Sequence, residues 1–199
     1  PSGLRFAIIF IDMYSRLAAV YFLKQKSSAD VLLAAQTYVG DHAYLLTKTC
    51  MSGVVDQWHT DNGTEFTASS IDAFCSELGI RRSFSIADCP QTNGVAERGW
   101  GVLLRSMRIM LAHAGHDVFF TTLWPFLMSQ AVAVSNSLPS YAFSPPEVPW
   151  DRADPRRHPT PLARFRVMLC DCYVNVADPI PKLAPRRLPA VHLGWDARR

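Results

Sequence analysis

Two acidic residues stand where a chain can use them for chemistry. Asp61 follows an apolar, β-rich run at residues 54–59, within His59-Thr60-Asp61-Asn62-Gly63-Thr64-Glu65-Phe66. A carboxylate at the end of such a strand lies at a sheet edge where substrates gather, and Gly63 permits a tight exit turn. Glu97 falls in the first turn of a long helical pattern, within Pro90-Gln91-Thr92-Asn93-Gly94-Val95-Ala96-Glu97-Arg98, with thirty-five residues between it and Asp61. At 100° per residue, Ala96, Trp100, Leu103, Met107 and Met110 share an arc of about 80°, an apolar stripe for a core. Glu97, Arg98, Arg105 and Arg108 share about 100° on a neighbouring face. As a solvated surface, that face would carry ion pairs worth about 0.3–0.5 kcal/mol each. On a protein that handles polynucleotides, it would set a metal-binding carboxylate among guanidiniums that hold phosphates.

Several elements must position these residues. Apolar runs at 6–12 and 18–23, separated by the polar Met13-Tyr14-Ser15-Arg16, predict a hairpin. Ser27 and Ser28 cap a helix over about 29–46, and a third strand at 54–59 ends at the turn residues Asp61-Asn62-Gly63. A helix over about 68–78 stops at Gly79, a strand follows at about 81–86, and two helices cover about 94–114 and 119–137. This order predicts an α/β sandwich with a mixed sheet. From Pro139 onward Pro and Arg are dense, which predicts an extended linker; β-like runs at 165–169, 172–176 and 190–195 predict a small β module.

The two motifs around Asp61 and Glu97, at this spacing, closely resemble the core motifs of retroviral and copia-type retrotransposon integrases. That family uses two aspartates and a glutamate, with thirty-five residues between the second aspartate and the glutamate. Further matches are Phe10-Ile11-Asp12-Met13-Tyr14-Ser15-Arg16, Val20-Tyr21-Phe22-Leu23-Lys24, Leu123-Trp124, Asn136-Ser137-Leu138-Pro139, Tyr173-Val174 and Leu193-Gly194.

The resemblance implies an RNase H-like fold, a mixed sheet flanked by helices, over residues 1–138. Its first strand, with the first catalytic aspartate, would lie upstream of Pro1. A Pro/Arg-rich linker (139–164) and part of a small SH3-like β module (165–199) would follow. The implied activity is metal-dependent DNA strand transfer, with Asp61 and Glu97 as catalytic residues and ligands of Mg²⁺ or Mn²⁺. Such hard ions favour carboxylate oxygens, and two of them about 3.5–4 Å apart can clamp the attacking and leaving oxygens of a phosphodiester exchange. Asn62, Gln91, Asn93, Gly94, Arg98, Arg105 and Arg108 would contact DNA. The implied partners are element ends and target duplex, handled by a homo-oligomer without membrane or small-molecule substrate, in the nucleus or an intracellular particle rather than secreted. With only two of three carboxylates identifiable, the chain alone is expected to be inactive. The competing reading is a non-catalytic nucleic-acid-binding or structural remnant of a decayed element. An RNase H-type nuclease fits the fold but not the segment from Pro90 to Arg98.

The remaining residues carry weaker signals. Asp12 matches the family's hairpin aspartate rather than a ligand, and Met13 stands where members usually have a second Asp. Gly99 and Gly101, inside a helix, should cost roughly 0.8–1 kcal/mol each relative to Ala; close DNA approach and decay are both open as reasons. Glu65 is expected to be a solvated loop carboxylate, His59 structural, and His113 and His116 a favourable end to the long helix rather than a metal pair. The five cysteines form no CxxC pair; Cys75 falls in an apolar helical pattern, and Cys170-Asp171-Cys172 lacks partners for zinc. Residues 1–120 carry 10 Lys/Arg against 11 Asp/Glu, residues 121–199 carry 10 against 6, so the basic excess lies behind the predicted core. The opening Pro1-Ser2-Gly3-Leu4-Arg5 is neither a signal peptide nor an initiator Met and reads as the start of a fragment. No stretch is apolar enough to read as a membrane span.

Overall fold

The computed structural model describes residues 3–49, 55–86, 93–114, 120–156, 162, 165–175 and 187–194. β1 (Phe6–Ile11) and β2 (Ala18–Leu23) pair antiparallel, with Phe6 opposite Leu23 and Ile11 opposite Ala18. Both strands are apolar along their length, so both faces of the ribbon need cover. Strand alternation sorts the side chains into two sets. Ile8, Phe10, Tyr21 and Leu23 enter a core with Val31, Ala34 and Ala35 of α1 (Ser28–Thr49) and with Ile71 and Cys75 of α2 (Ser69–Glu77). Ile9, Val20 and Phe22 pack on the other side, against Leu103 and Met107 of α3 (Gly94–Ala114) and Leu127, Met128 and Ala131 of α4 (Phe120–Ser137). The ribbon is thus sandwiched between helices. β3 (Gln57–Thr60) and β4 (Arg81–Phe84) pair in parallel, joined through α2, as a parallel connection requires. The Phe10 ring stacks on Tyr38 at 4.6 Å and lies 5.7 Å from Trp58, which ties β1, α1 and β3 together.

Local chemistry fixes the boundaries. Ser27 Oγ accepts the Asp30 amide at 3.2 Å while Asp30 Oδ2 accepts the Gln25 amide at 2.9 Å, so α1 starts at a doubly anchored cap. α2 stops at Gly79, whose φ of +69° few other residues adopt cheaply. There the Gly79 amide reaches Ser76 O and the Ile80 amide reaches Cys75 O, the paired bonds that satisfy a helix's last carbonyls. In the hairpin turn, Asp12 Oδ2 accepts both the amide and the hydroxyl of Ser15, and Asp12 O accepts the Arg16 amide at 2.8 Å. At the start of β2, the Ala18 amide donates to Asn136 Oδ1 at 2.9 Å, and Ala18 O accepts from Asn136 Nδ2 at 2.7 Å. A side-chain amide from α4 therefore completes backbone groups that β1 does not use.

Four expectations are corrected. Among the described residues the antiparallel β1–β2 pair and the parallel β3–β4 pair stay separate two-stranded sheets rather than one mixed sheet, because side chains and not a backbone ladder join β1 to β3. The strand expected at 54–59 begins at Gln57, and residues 51–54 lie outside the described set. The segment behind Pro139 is not simply extended: α5 (Pro149–Ala153) starts with a proline in its first turn, where the missing N–H costs nothing. Arg152 of α5 lies between the rings of Tyr14 and Phe143, 4.3 Å from each centroid, donates through Nε to Tyr14 O and pairs with Glu147 at 2.8 Å. Finally, residues 165–170 form no strand. Met168 and Leu169 are apolar because they are buried in the α3–α4 core, and β5 (Asp171–Asn175) pairs antiparallel with β6 (Arg187–Val191) beyond them. Gly194, at φ +109°, lies so close to α4 that a Cβ would stand 3.0 Å from Gln130 Oε1.

The glycines of α3 also separate. A Cβ at Gly99 would stand 2.2 Å from Ile11 Cδ1, so this glycine lets α3 cross β1; at Gly101 nothing lies within 4 Å. Packing explains Gly99 without DNA or decay. Gly101→Ala is expected to raise stability by about 0.8–1 kcal/mol, whereas Gly99→Ala must displace Ile11 and gains less or loses. Urea unfolding of both variants checks this, and equal gains would show that Ile11 does not pack on α3.

Candidate functional site

The site begins where β3 ends. Thr60 O accepts both the amide and the hydroxyl of Ser85, at 2.8 and 3.2 Å, so the β3–β4 pairing runs to the residue before Asp61 and releases it at the sheet edge. Asp61 is exposed, and its Oδ1 accepts the Gly63 amide at 3.0 Å, an Asx-type turn. Asn62, expected to touch DNA, spends its side-chain NH₂ on Ser85 O at 2.8 Å and so pins the turn to the segment after β4. Arg82 adds a second pin: it pairs with Asp72, donates to Phe66 O and lies over the Phe84 ring at 4.6 Å.

Glu65 is not the solvated loop carboxylate expected from its position. It is 8% exposed, and its Oε1 meets Lys26 Nζ at 2.9 Å. Burial works to raise the Glu65 carboxyl, but the hydrogen bond from Lys26, a backbone bond and the Lys26 charge outweigh it and hold the group below the usual carboxylate range. On the partner, the Glu65 bond and charge raise the Lys26 ammonium against a smaller opposing effect of burial, and the Asp61 charge adds to the rise. Gly63 sits between the two carboxylates. A Cβ there would stand 2.9 Å from Glu65 Oε2 and 3.0 Å from Asp61 Oδ1. A glycine is needed here for space as well as for the turn. Nothing local in the sequence marks Lys26; the pairing is made by the fold alone.

On α3, Glu97 is exposed in the first turn, and Arg98, Arg105 and Arg108 are described along the same helix, at the spacing that puts them on one face. Leu103 and Met107 are buried on the opposite stripe, with Trp100 and Met110 packed beside them. Asn93 and Gly94 open the helix half-buried; Gln91 lies outside the described residues. The structure gathers Lys26, Asp61, Gly63 and Glu65 at one point and carries Glu97 on a separate element. Among the described residues, no three of His, Cys, Asp and Glu form a metal-binding group. Asp12 holds the hairpin turn through one carboxylate oxygen, which accepts the amide and the hydroxyl of Ser15. His59 joins Ser83 at 2.9 Å on the sheet, and Cys75 is buried in the core, as expected of both.

Residues 3–90, which include Asp61 and Glu65 and end before Glu97, match the family described as integrase core domain. Across this segment, the chain is similar to integrase cores. Over 196 residues, 97% of its length, the chain is 28% identical to the retrovirus-related Pol polyprotein from transposon TNT 1-94 of Nicotiana tabacum, and it spans 14% of that polyprotein. Its fold is similar to a chain of the simian T-cell lymphotropic virus intasome in complex with PP2A regulatory subunit B56 gamma, with a TM-score of 0.59 and 19% identity over 91% of this chain and 59% of that one. It is also similar to the HTLV-2 integrase catalytic core domain in complex with magnesium, with a TM-score of 0.51 and 17% identity over 73% of this chain and 81% of that one. The α/β architecture is therefore the RNase H-like one of retroviral integrase catalytic cores.

Proposed function

We propose that this chain is the strand-transfer core of a DNA-joining mobile-element polyprotein, using divalent ions held by Asp61 and Glu97, and that it is inactive by itself. The observation that carries the reading is the placement of two exposed carboxylates, one at the end of β3 and one in the first turn of α3, on an integrase fold. The donor set fits a hard ion. Asp61 has only Oδ1 engaged, by Gly63, and Glu97 carries no ion pair among the described residues. The magnesium in the HTLV-2 core supports the choice of metal. Bound Mg²⁺ or Mn²⁺ would supply charge for the attacking and leaving oxygens of a phosphodiester exchange.

The chain's own residues then hold the DNA. Arg98, Arg105 and Arg108 lie on the Glu97 face to engage phosphates, and the segment from Gln91 to Gly94 lies before the helix to meet the strand. A third carboxylate would come from outside the described residues. The β5–β6 hairpin would belong to an SH3-like module whose basic surroundings add further bonds to phosphate. Transfer engages two element ends and a target duplex, so we assign the active form to a multimer. Decay loses one of its supports, because Gly99 is a packing residue.

The test is a titration of Mn²⁺ followed by thermal unfolding. A ligand at 100 times its dissociation constant stabilises a fold by about 2.7 kcal/mol. The wild type is expected to gain stability with metal, and Asp61→Asn and Glu97→Gln to gain much less. Equal metal-induced shifts in all three proteins would refute the assignment.

A further inference from the structure

The pair made by Lys26 and Glu65 has no part in the assignment of Asp61 and Glu97, yet it is built into the same spot. A carboxylate that is 8% exposed is costly to bury unless it is paired. Its partner Lys26 is 63% exposed, so the ammonium is gripped from below and open above. The backbone on either side is also held: the Gln25 amide donates to Asp30, and Ser27 caps α1. A lysine fixed at both backbone and head loses little further freedom when it meets an anion, whereas a free surface lysine has its rotamer entropy still to lose. Glu65 Oε2 faces the point that Asp61 Oδ1 also faces, across Gly63, so the ammonium stands beside the candidate catalytic carboxylate.

We propose that Lys26 is a phosphate-binding residue of the strand-transfer site, set beside Asp61 by Glu65, which acts as its positioning residue. The inference rests on the DNA-joining reading above. Lys26 would engage a non-bridging oxygen of the DNA strand that lies across Asp61. Only one Glu65 oxygen is bonded to the ammonium, which leaves other N–H directions for that oxygen.

The test is the salt dependence of binding to a duplex DNA end, measured for the whole chain. Removing a cation that neutralises one phosphate lowers the slope of log affinity against log salt by roughly 0.9. Lys26→Ala is expected to lower the slope by about that amount and Lys26→Arg to restore it. Lys24→Ala, at an exposed position two residues away with no ion pair among the described residues, is expected to leave the slope unchanged. In a Glu65→Gln background, Lys26→Ala should lower the slope by less, since the lysine is no longer set in place. A fold effect alone would move melting temperature and leave the slope where it was. No binding by the wild type would overturn both this inference and the DNA-joining reading. Binding with an unchanged slope in Lys26→Ala, or an equal drop in Lys24→Ala, would overturn this inference alone. Equal drops in the wild-type and Glu65→Gln backgrounds would overturn the positioning role of Glu65.

Discussion

Asn136→Leu should lower the stability of the chain by about 2–4 kcal/mol, because it strands two backbone groups at once. Leucine keeps asparagine's branched shape, and at a residue that is 3% exposed its bulkier methyl groups add some overpacking to the loss. What disappears is the pair of bonds to the amide and carbonyl of Ala18. Both lie against α4, where water does not freely replace the missing partner, and each unsatisfied group costs about 1–3 kcal/mol. For a chain of this size, the loss corresponds to a fall of roughly 5–15 °C in melting temperature. Asn136→Asp should fare nearly as badly, since a carboxylate can accept from the Ala18 amide but cannot donate to its carbonyl. A loss under about 1 kcal/mol in Asn136→Leu would mean that water reaches these groups.

The second large effect separates two neighbours on α3. Leu103 is 2% exposed and Leu104 is 38% exposed. Leu103→Ala is expected to cost about 2–5 kcal/mol and Leu104→Ala under about 1 kcal/mol. The contrast matters for function because one helix phase sets both stripes. If Leu103 points into the α3–α4 core, Glu97 and the three arginines must point away from it. Chemical denaturation of the two variants decides the matter. Similar costs at both positions would mean that the helix is rotated from this phase, and the assigned phosphate-binding face would lose its basis.

Helical phase was legible in the sequence because α3 repeats one stripe over several turns: Trp100, Leu103, Met107 and Met110 all pack on the core side as their spacing requires. The β1–β2 hairpin was legible for a similar reason, with apolar runs broken by a polar turn whose Asp12 and Ser15 bond to each other. Isolated features read less well. Residues 165–169 looked like a strand because burial of Met168 and Leu169 demands the same side chains that a strand would, and a short apolar run has no period to tell the two apart. α5 was hidden by proline-rich composition, although Pro149 occupies a helix position that suits it. Within the candidate site, Asp61 and Glu97 announce themselves by local context. Lys26 and Glu65 do not, because their ion pair exists only once the loop before α1 is brought against the turn after β3. The integrase family match ends at residue 90, so the Glu97 face rests on helix geometry and on likeness to longer relatives.

The clamp on the hairpin also sets an order of events in time. Tyr14 is held by Arg152, 138 residues later, and Ala18 by Asn136, 118 residues later. During synthesis, at roughly 5–20 residues per second, β1 and β2 can pair within moments of emerging. Their outer edge then waits several seconds, by that rate, before α4 leaves the ribosome, and longer before α5 does. Throughout that interval a nascent chain presents an apolar, half-covered strand to its surroundings, the state most prone to pair with another chain. The stretch from Asn136 to Arg152 therefore serves as a late latch on the β1–β2 ribbon. Messages truncated between these two positions should yield protein that collects in aggregates rather than as soluble core.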